Sequence, residues 1–370
     1  MIKLLFFIPD LAGGGAEKVL VNLVNNMDRK KFDITVKTLF DVGVNRDNLL
    51  PHIKREYCIK KQFRGNSKFF QLFKPETLYK RFIKEHYDII VSYLEGPTAR
   101  IVSGCTDNST KLVSWIHCRM ENESVASIGF RSFEEAKRCY NRFDFTACVS
   151  KWVKDYYADV FSFSKPIGVI YNTIQTDEII EKAKEAVDDI TIDSNCCNIC
   201  SVGRLIDIKG FDRLINIHKR LLRKNINNHI YIFGDGKERK RLEDLVQQNG
   251  LSSTFTFMGY TINPYKYMKK MDLYVCSSYS EGFSTSVTEA LIVGTPVVTT
   301  LCSGMKEMLG ENNEYGIVTE NNEDALYEGI KEMLTTPGML EYYAERAKER
   351  GKKFSTEKTV KAVEKMFEEL

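Results

Sequence analysis

The stretch E-G-F-S-T-S-V-T-E, from Glu281 to Glu289, largely decides how the second half of this chain is interpreted. A strand-like run at 273–276 precedes it, and a helix-compatible run at 288–293 and a β-branched run at 297–300 follow it. The pattern predicts a strand, a loop with Glu281, a helix with Glu289 in its first or second turn, and another strand. In open α/β sheets of this kind, ligands bind at the carboxyl ends of the strands.

The turn between the two glutamates suits a ligand that has both anionic groups and hydroxyls. Residues 282–286 are expected to aim backbone N–H groups and a helix N-terminus at the ligand, which favours an anion. The carboxylates of Glu281 and Glu289 do not suit phosphate, but they accept hydrogen bonds from hydroxyls. A nucleotide-sugar combines both kinds of group. The stretch therefore predicts a nucleotide-sugar site.

The composition is that of an ordinary globular protein. The chain has 370 residues, 43% of them hydrophobic and 28% charged, which is typical of two domains. No apolar run reaches the roughly 20 residues of a transmembrane helix, and residues 1–9 read as a first buried strand rather than a signal peptide. The ten cysteines are expected to be reduced. One C-x-x-C, Cys197 and Cys200, has no second pair at metal-ligand spacing, so no zinc site is predicted.

Strand and helix signals alternate along both halves, which predicts two doubly wound α/β domains with parallel sheets. Predicted strands are 3–8, 33–39, 89–92, 111–115, 145–149, 168–170, 198–202, 229–233, 254–257, 272–276 and 296–299. Predicted helices are 17–26, 211–224, 237–249, 263–270 and 288–293, with two further helical stretches after residue 337 that break near 351–355. The predicted domains are 1–172, joined by a final helix at 354–370, and 173–353, with a cleft between two facing domains.

Two glycine-rich turns lie at carboxyl ends of predicted strands. In the first domain, Gly13-Gly14-Gly15 lets the backbone approach a ligand at a helix N-terminus, although it does not match the dinucleotide pattern. In the second, Gly203 and Arg204 follow a strand, and Lys209 lies five residues beyond Arg204. Two cations at that place suit a diphosphate. The alternatives are a tight structural turn for the glycines and solvated loop cations for Arg204 and Lys209.

Other candidates also follow predicted strands. His117 comes after the strand near 112–116, where a lone histidine is more often structural than catalytic. Gly234 and Tyr260 close two strands of the second domain and are candidates for the wall of a nucleotide-base site, or else belong to plain turns.

The charge is distributed unevenly. Residues 1–170 have 27 Lys and Arg against 19 Asp and Glu, whereas the remainder has 26 against 31. Residues 54–84 hold ten basic residues interleaved with aromatics and only two acidic ones. This segment reads either as a solvated helix pair or as an attachment to an anionic membrane surface. No nucleic-acid motif accompanies it, so no nucleic-acid partner is predicted.

Four motifs together resemble the retaining GT-B glycosyltransferases of family 4, which include many enzymes of bacterial capsule, exopolysaccharide and lipopolysaccharide assembly. The motifs are G-G-G-A-E at 13–17, S-V-G-R-L-I-D-I-K-G at 201–210, I-F-G-D-G-K-E at 232–238 and the E-x7-E stretch at 281–289. The resemblance covers essentially the whole chain. It implies that the last helix crosses back onto the first domain. A cytoplasmic location is expected, on the inner face of the membrane if the segment at 54–84 is a membrane attachment rather than a solvated helix pair.

The resemblance also implies roles for individual residues. It assigns the ribose hydroxyls to Glu289, a hydroxyl of the donor sugar to Glu281, and the diphosphate to Arg204 and Lys209. The remaining candidates are the amides of Phe283, Ser284 and Thr285 beside Gly282, the diphosphate-packing Gly14 and Gly15, and the active-site His117. Two positions depart from the family pattern: Ser284 stands where many relatives have Gly or Pro, and Asn-Thr-Ile-Gln at 172–175 replaces the common Asn-Gly-(Val/Ile)-Asp.

The predicted reaction moves a hexose-type sugar from a nucleotide diphosphate, UDP favoured over GDP, to a hydroxyl of a glycan or lipid-linked acceptor with retention of configuration. No cofactor is expected, because the nucleotide-sugar is a co-substrate, and no metal is expected, because no D-x-D motif is present. If Glu281 holds a sugar hydroxyl, no nucleophile for double displacement remains, which favours front-face attack. The alternatives are a nucleotide-sugar epimerase, a glycosidase and a non-catalytic nucleotide-sugar-binding subunit.

Overall fold

The computed structural model describes residues 1–162 and 165–370 and divides the chain into two compact units. The first unit consists of Met1–Ile174 with Thr356–Leu370, and the second is Gln175–Ser355. The boundaries expected from the sequence, after residues 172 and 353, lie two residues before these.

Within the described residues, the first unit has a parallel seven-stranded sheet with the strand order 3-2-1-4-5-6-7. The strands are β1 (Ile2–Ile8), β2 (Phe32–Phe40), β3 (Lys54–Ile59), β4 (Ile89–Tyr93), β5 (Lys111–Ile116), β6 (Phe145–Cys148) and β7 (Ile167–Val169). The helices between them are α1 (Gly15–Asn26), α2 (Asn66–Gln71), α3 (Pro75–Phe82), α4 (Pro97–Val102), α5 (Glu123–Ala126), α6 (Phe133–Tyr140) and α7 (Lys151–Phe161). The strand order reverses between β1 and β4, so a topological switch point lies there.

The second unit repeats this order in a parallel six-stranded sheet, β10-β9-β8-β11-β12-β13, across the part of the chain that is described. Its strands are β8 (Cys197–Val202), β9 (Asn228–Phe233), β10 (Phe255–Gly259), β11 (Leu273–Cys276), β12 (Val297–Thr300) and β13 (Ile317–Thr319). Its helices are α8 (Thr176–Lys182), α9 (Phe211–Arg223), α10 (Arg239–Gln248), α11 (Tyr265–Met268), α12 (Thr285–Val293), α13 (Met305–Leu309), α14 (Glu323–Thr335) and α15 (Met339–Gly351). Its switch point lies between β8 and β11.

The central strands of both sheets are buried on both faces, which explains why they are apolar runs rather than alternating patterns. In β1, residues 4–8 are fully buried. In the second unit, α9 places Leu214, Ile217 and Leu221 on one face at spacings of three and four residues, and they join Ile199 and Ile230 in the core. Because the strands are apolar, the polar side chains lie in the loops that begin at the carboxyl edge of each sheet.

The last helix, α16 (Thr356–Glu368), belongs to the first unit, as the resemblance implies. The ring of Phe367 packs edge-on against Phe6 and Phe32, at centroid distances of 5.9 and 6.3 Å. Lys31 forms an ion pair with Glu368 at 2.7 Å. The predicted break between the two final helices is confirmed at residues 352–355.

The interpretation of residues 54–84 as a pair of helices is wrong for its first part. Residues 54–59 form β3, the outermost strand of the first sheet, which pairs only with β2 within the described residues. Its sequence, K-R-E-Y-C-I, looks unlike a strand because edge strands carry charged side chains. Glu56 forms ion pairs with Lys54 of the same strand and with Lys37 of β2, each at 2.9 Å. Helices α2 and α3 occupy the rest of the segment.

Candidate active site

An ion pair lies at the switch point of the second sheet. Lys209 follows β8, and its Nζ lies 2.6 Å from Oε1 of Glu281, which follows β11. The hydroxyl of Ser278 donates to the same carboxylate oxygen, also at 2.6 Å. Burial alone lowers the pKa of Lys209, but the charge and hydrogen bond of Glu281 outweigh it, so the pKa lies above its ordinary value. The lysine is therefore a fixed cation.

Backbone contacts hold the loops of Lys209 and Glu281 in register. The hydroxyl of Ser277 donates to the carbonyl of Lys209 at 3.0 Å, and the amide of Tyr279 donates to the carbonyl of Ile208 at 2.8 Å. Gly210 lies between Lys209 and α9 with φ of +62°, and a Cβ there would collide with the carbonyl of Ser277. The ion pair is thus set by two loops that fit closely together.

Arg204 lies next to this pair and has a different environment. It is exposed, and within the described residues it forms no ion pair and no side-chain hydrogen bond. The two positive charges repel each other, so Arg204 acts to lower the pKa of Lys209. Lys209 is neutralised by Glu281 but Arg204 is not, so the arrangement has an uncompensated positive charge at the switch point.

Helix α12 begins beside Glu281 and starts three residues earlier than the helix predicted at 288–293. The hydroxyl of Ser284 caps it by accepting a hydrogen bond from the amide of Val287 at 3.3 Å. Ser284 is 3% exposed, and Phe283 is 9% exposed. Gly282 and Phe283 form the bend before the cap, and Thr285 is the first residue of the helix. Helix capping explains why a serine stands at position 284, since its side chain satisfies an amide of the first turn.

Glu289 lies in the second turn of α12 and is 5% exposed. The hydroxyl of Tyr265, from α11, donates to its Oε1 at 3.1 Å. A buried carboxylate requires hydrogen-bond donors to offset its desolvation. The seven residues between Glu281 and Glu289 thus join an ion-paired carboxylate on the loop to a buried carboxylate on the helix.

The predicted glycines of the second unit hold strand ends together. The amide of Gly203 donates to Phe233 at 2.9 Å, and that of Gly234 donates to Gly259 at 2.8 Å. Gly234 has φ of +144°, and a Cβ there would collide with the carbonyl of Gly203. Tyr260, directly after β10, is 67% exposed. These residues lie at the carboxyl edge of the same sheet as the ion pair.

In the first unit, the predicted glycines begin α1. Gly14 is its N-cap residue, in an extended conformation, and Gly15 is its first residue. The turn follows β1, so it lies at the switch point of the first sheet. The helix has twelve residues, long enough to present a helix dipole at this turn.

His117 follows β5 and lies in an aromatic setting. Its ring is 4.7 Å from that of Tyr93 and 6.5 Å from that of Trp115, centroid to centroid. Burial lowers the pKa of His117 to about 3, so the imidazole is neutral at physiological pH. Its Nε2 is buried and has no hydrogen-bond partner in the described structure. A neutral imidazole with an open nitrogen can donate to or accept from a hydroxyl.

One residue of this region was not predicted from the sequence. Glu95, just past β4, accepts hydrogen bonds from the amides of His117 and Cys118 at 3.4 and 2.7 Å. Burial raises the pKa of Glu95. The preceding Leu94 has φ of +124°, a conformation that costs a non-glycine residue on the order of 1–3 kcal/mol. The only signal in the sequence was the position of Glu95 directly after a strand, which His117 shares. The sequence E-G-P at 95–97 looks like an ordinary turn.

The structure therefore places the candidates in two groups, each within its own unit. Lys209 and Glu281 touch, and Arg204, Gly203, Gly234, Tyr260 and the start of α12 surround the same edge. Gly14, Gly15 and His117 lie at the carboxyl edge of the first sheet. Sequence reasoning missed Ser278, Tyr265 and Glu95, which hold the predicted glutamates and histidine in place.

The described residues contain neither a cluster of metal ligands nor a membrane-spanning helix. In residues 1–162 and 165–370, no three His, Cys, Asp or Glu side chains cluster in a way that could hold a metal ion. No helix in these ranges is long and apolar enough to cross a membrane. The ten cysteines are free thiols, and Cys200 is buried in β8.

Known proteins with similar sequences or folds agree with this arrangement. The family profile described as glycosyl transferases group 1 matches residues 183–350, and the profile described as glycosyltransferase family 4 matches residues 13–178. A Campylobacter jejuni relative, N-acetylgalactosamine-N,N'-diacetylbacillosaminyl-diphospho-undecaprenol 4-alpha-N-acetylgalactosaminyltransferase, is 28% identical over 372 residues, covering 96% of each chain.

Two solved structures share the fold over the whole chain. The Anabaena protein HepE, solved with UDP and glucose, has a TM-score of 0.78 at 19% identity and covers 100% of both chains. The sucrose-phosphate synthase of Thermosynechococcus elongatus has a TM-score of 0.81 at 16% identity and covers 99% of this chain and 98% of its own.

Two Rossmann-like units, each with the 3-2-1-4-5-6 order, and a final helix that returns to the first unit define the GT-B class of protein. With the two profile matches, which together span residues 13–350, the chain belongs to the GT-B glycosyltransferases of the family 4 type.

Proposed function

We propose that this glycosyltransferase moves a hexose-type sugar from a UDP-sugar to a hydroxyl of a glycan or lipid-linked acceptor, with retention of configuration and without a metal, in cell-surface polysaccharide synthesis. The observation that carries the proposal is the Lys209–Glu281 pair at the switch point, together with the uncompensated charge of Arg204 near Lys209 and the start of α12 four residues after Glu281. This arrangement supplies positive charge for a diphosphate and carboxylate oxygens for hydroxyls.

In this proposal Arg204 and Lys209 bind the diphosphate. Lys209 has three donor hydrogens, so it can keep its bond to Glu281 while it also donates to a phosphate oxygen. Glu281 accepts a hydroxyl of the sugar, and Glu289 accepts the ribose hydroxyls. The amides of Phe283, Ser284 and Thr285 approach the β-phosphate or the sugar, and Gly203, Gly234 and Tyr260 form the wall beside the base.

The chemical step is front-face attack. The bond from the anomeric carbon to the β-phosphate oxygen breaks while the acceptor oxygen bonds to that carbon from the same face, and the acceptor's proton passes to the departing phosphate oxygen. Oε1 of Glu281 already accepts from both Lys209 and Ser278, and in this proposal the carboxylate also accepts a hydroxyl of the sugar, so it is not used as a nucleophile. The cations offset the charge that grows on the diphosphate.

The residues of the first unit keep the roles that the resemblance implies. Gly14 and Gly15 approach the diphosphate through their backbone, and His117 contacts the sugar. The neutral ring and the unpartnered Nε2 of His117 suit a hydroxyl rather than a phosphate.

The donor and acceptor classes are taken from the relatives. HepE was solved with UDP and glucose, and the name of the Campylobacter jejuni enzyme includes a saccharide on diphospho-undecaprenol. A UDP-hexose and a saccharide linked to a polyprenyl diphosphate are therefore the substrates to be tried first.

The test is to incubate the purified chain with UDP-hexoses or UDP-N-acetylhexosamines and a polyprenyl-diphosphate-linked acceptor, in EDTA. We expect UDP release that depends on the acceptor, and an α-linked product by NMR. A new sugar isomer with donor alone would identify an epimerase, and hydrolysis of glycosides without UDP release would identify a glycosidase. Tight UDP-sugar binding without turnover for any acceptor would identify a binding subunit.

We also propose that residues 60–74 attach the protein to an anionic membrane on the cytoplasmic side, where a lipid-linked acceptor lies. This stretch, K-K-Q-F-R-G-N-S-K-F-F-Q-L-F-K, has five basic residues and no acidic one. All five basic residues are exposed. Between them Phe63, Phe69, Leu72 and Phe73 are 39%, 46%, 74% and 39% exposed. Exposed aromatics among basic residues are typical of a membrane-surface segment.

Replacing Lys60, Lys61, Arg64 and Lys68 with Gln tests the attachment. At about 1 kcal/mol for each of the four basic residues, the partition coefficient onto anionic phosphatidylglycerol vesicles should fall by roughly 1,000-fold. Binding is measured by vesicle sedimentation, with neutral phosphatidylcholine vesicles as reference. The matched control neutralises four exposed basic residues of the second unit, Arg223, Lys224, Lys269 and Lys270, and should bind like the wild type. An equal loss of vesicle binding in both variants would show that residues 60–74 are not the attachment site.

A further inference from the structure

The turn after β4 is built to place one carboxylate. Leu94 has φ of +124° and Gly96 has φ of +82°, so the residues on both sides of Glu95 have positive φ. The hydroxyls of Ser92 and Thr98 both donate to the carbonyl of Leu94 at 3.0 Å. The amide of Gly96 donates to the hydroxyl of Tyr140 at 3.3 Å. Three side chains thus stabilise a conformation that a non-glycine residue rarely adopts.

The placed carboxylate contacts the backbone of the candidate catalytic histidine. The parallel register pairs Tyr93 of β4 with Trp115 of β5, which brings Glu95 opposite His117 just beyond the strands. One carboxylate oxygen accepts from the amide of Cys118 and the other from the amide of His117.

The side chain of His117 is held as well. The rings of Tyr93 and Trp115 lie against it, and both of these residues are almost completely buried. With its backbone bound to Glu95 and its ring between neighbours, His117 has little freedom to move. Its unpartnered Nε2 therefore has a fixed position.

Satisfying these two amides does not require a charged side chain such as that of Glu95. Amides at the end of a strand are readily satisfied by water or by a neutral carbonyl, whereas a partly buried carboxylate carries a desolvation cost. Burial raises the pKa of Glu95, which shows that cost. A strained turn and a partly desolvated charge at one position are typical of functional sites, where positional accuracy outweighs stability.

We propose that Glu95 is a positioning residue: it binds the backbone of His117 and Cys118 and thereby fixes Nε2 of His117 where a hydroxyl of the reacting sugar binds. Glu95 itself does not touch the substrate. The proposal rests on the proposed function, since it presumes that His117 contacts the sugar.

The test is a double-mutant cycle of Glu95→Ala and His117→Ala in the full-length enzyme. A misplacement of about 1 Å in a reacting group can lower turnover by about 100-fold, so Glu95→Ala should lower kcat on that order with little change in the KM of the donor. If Glu95 acts through His117, Glu95→Ala should lower kcat by no more than about twofold further in the His117→Ala background. Glu95→Gln keeps the shape and one acceptor oxygen, and should recover part of the loss.

The control is Asp144→Ala. Asp144 accepts the amide of Leu112 at 2.8 Å, which is a comparable carboxylate-to-backbone bond near the opposite end of β5. This variant should keep the wild-type kcat. Equal losses in Glu95→Ala and Asp144→Ala, or a full loss from Glu95→Ala in the His117→Ala background, would overturn the proposal, because either shows a general structural effect.

A readout without substrate separates this inference from the proposed function. Amide hydrogen exchange at residues 117 and 118 should accelerate in Glu95→Ala but not in Asp144→Ala. If the wild type transfers no sugar, the proposed function fails. If it transfers sugar and Glu95→Ala exchanges and turns over like the wild type, only the positioning role fails.

Discussion

Replacing Arg204 with Ala is expected to lower kcat by about 100- to 1,000-fold, equivalent to about 3–4 kcal/mol, as for other electrostatic stabilisers of a transition state. The reason is that Arg204 is the cation beside Lys209 that has no acidic partner in the described residues, whereas Lys209 is already paired with Glu281. Charge that develops on the departing diphosphate therefore meets Arg204 directly. Steady-state UDP release at saturating donor and acceptor measures the effect.

Two further variants sharpen this prediction. Arg204→Lys keeps the charge but loses the planar fork that binds two phosphate oxygens, so an intermediate kcat is expected. Arg223→Ala removes an exposed arginine from the last turn of α9, at the other end of that helix, and should leave kcat unchanged. Since Arg204 makes no side-chain contact that stabilises the described fold, the Tm of Arg204→Ala should equal that of the wild type. Turnover near the wild-type rate would remove Arg204 from the diphosphate site.

The sequence predicted the architecture of the site because its signals are local. Each parallel strand is a short apolar run followed by small or polar residues, and in a parallel sheet all these endings lie at one edge. Arg204 and Lys209 after β8, and Glu281 after β11, were therefore placed correctly at one edge before the pairing of the strands was known. The structure adds that β8 and β11 are neighbouring strands, so Lys209 and Glu281 are in direct contact.

What the sequence did not reveal depends on contacts between distant segments. Glu95 accepts a hydrogen bond from an amide 22 residues away. Its turn depends on a positive φ at Leu94, and leucine in a sequence does not indicate a positive φ. Strand β3 was missed because an edge strand needs no apolar pattern. The start of α12 was set three residues too late because residues 285–287 were assigned to the turn, whereas the bond from Val287 to Ser284 shows that Ser284 caps the helix.

The second large effect is expected when the ion pair is broken. Lys209→Met leaves the carboxylate of Glu281, whose side chain is 11% exposed, without its partner. Removing one member of a fully buried pair costs about 3–5 kcal/mol, and since the side chain of Lys209 is still 23% exposed, we expect about 2 kcal/mol. For domains of this size, that loss lowers Tm by roughly 4–8 °C. Lys240→Met, which breaks an exposed pair with Asp244 on α10, should change neither Tm nor transfer.

The double variant Lys209→Met with Glu281→Gln separates stability from catalysis. Removing both charges leaves no desolvated charge behind, so Tm should return close to the wild-type value. The amide oxygen introduced by Glu281→Gln can still accept the hydrogen bond from Ser278. Transfer should remain about 100- to 1,000-fold below the wild type, because neither the cation nor the carboxylate is restored. If activity recovers together with Tm, the pair serves only to hold the two loops together, and the donor's diphosphate and sugar must be bound elsewhere. A stable but inactive double variant assigns Lys209 and Glu281 to the reaction itself.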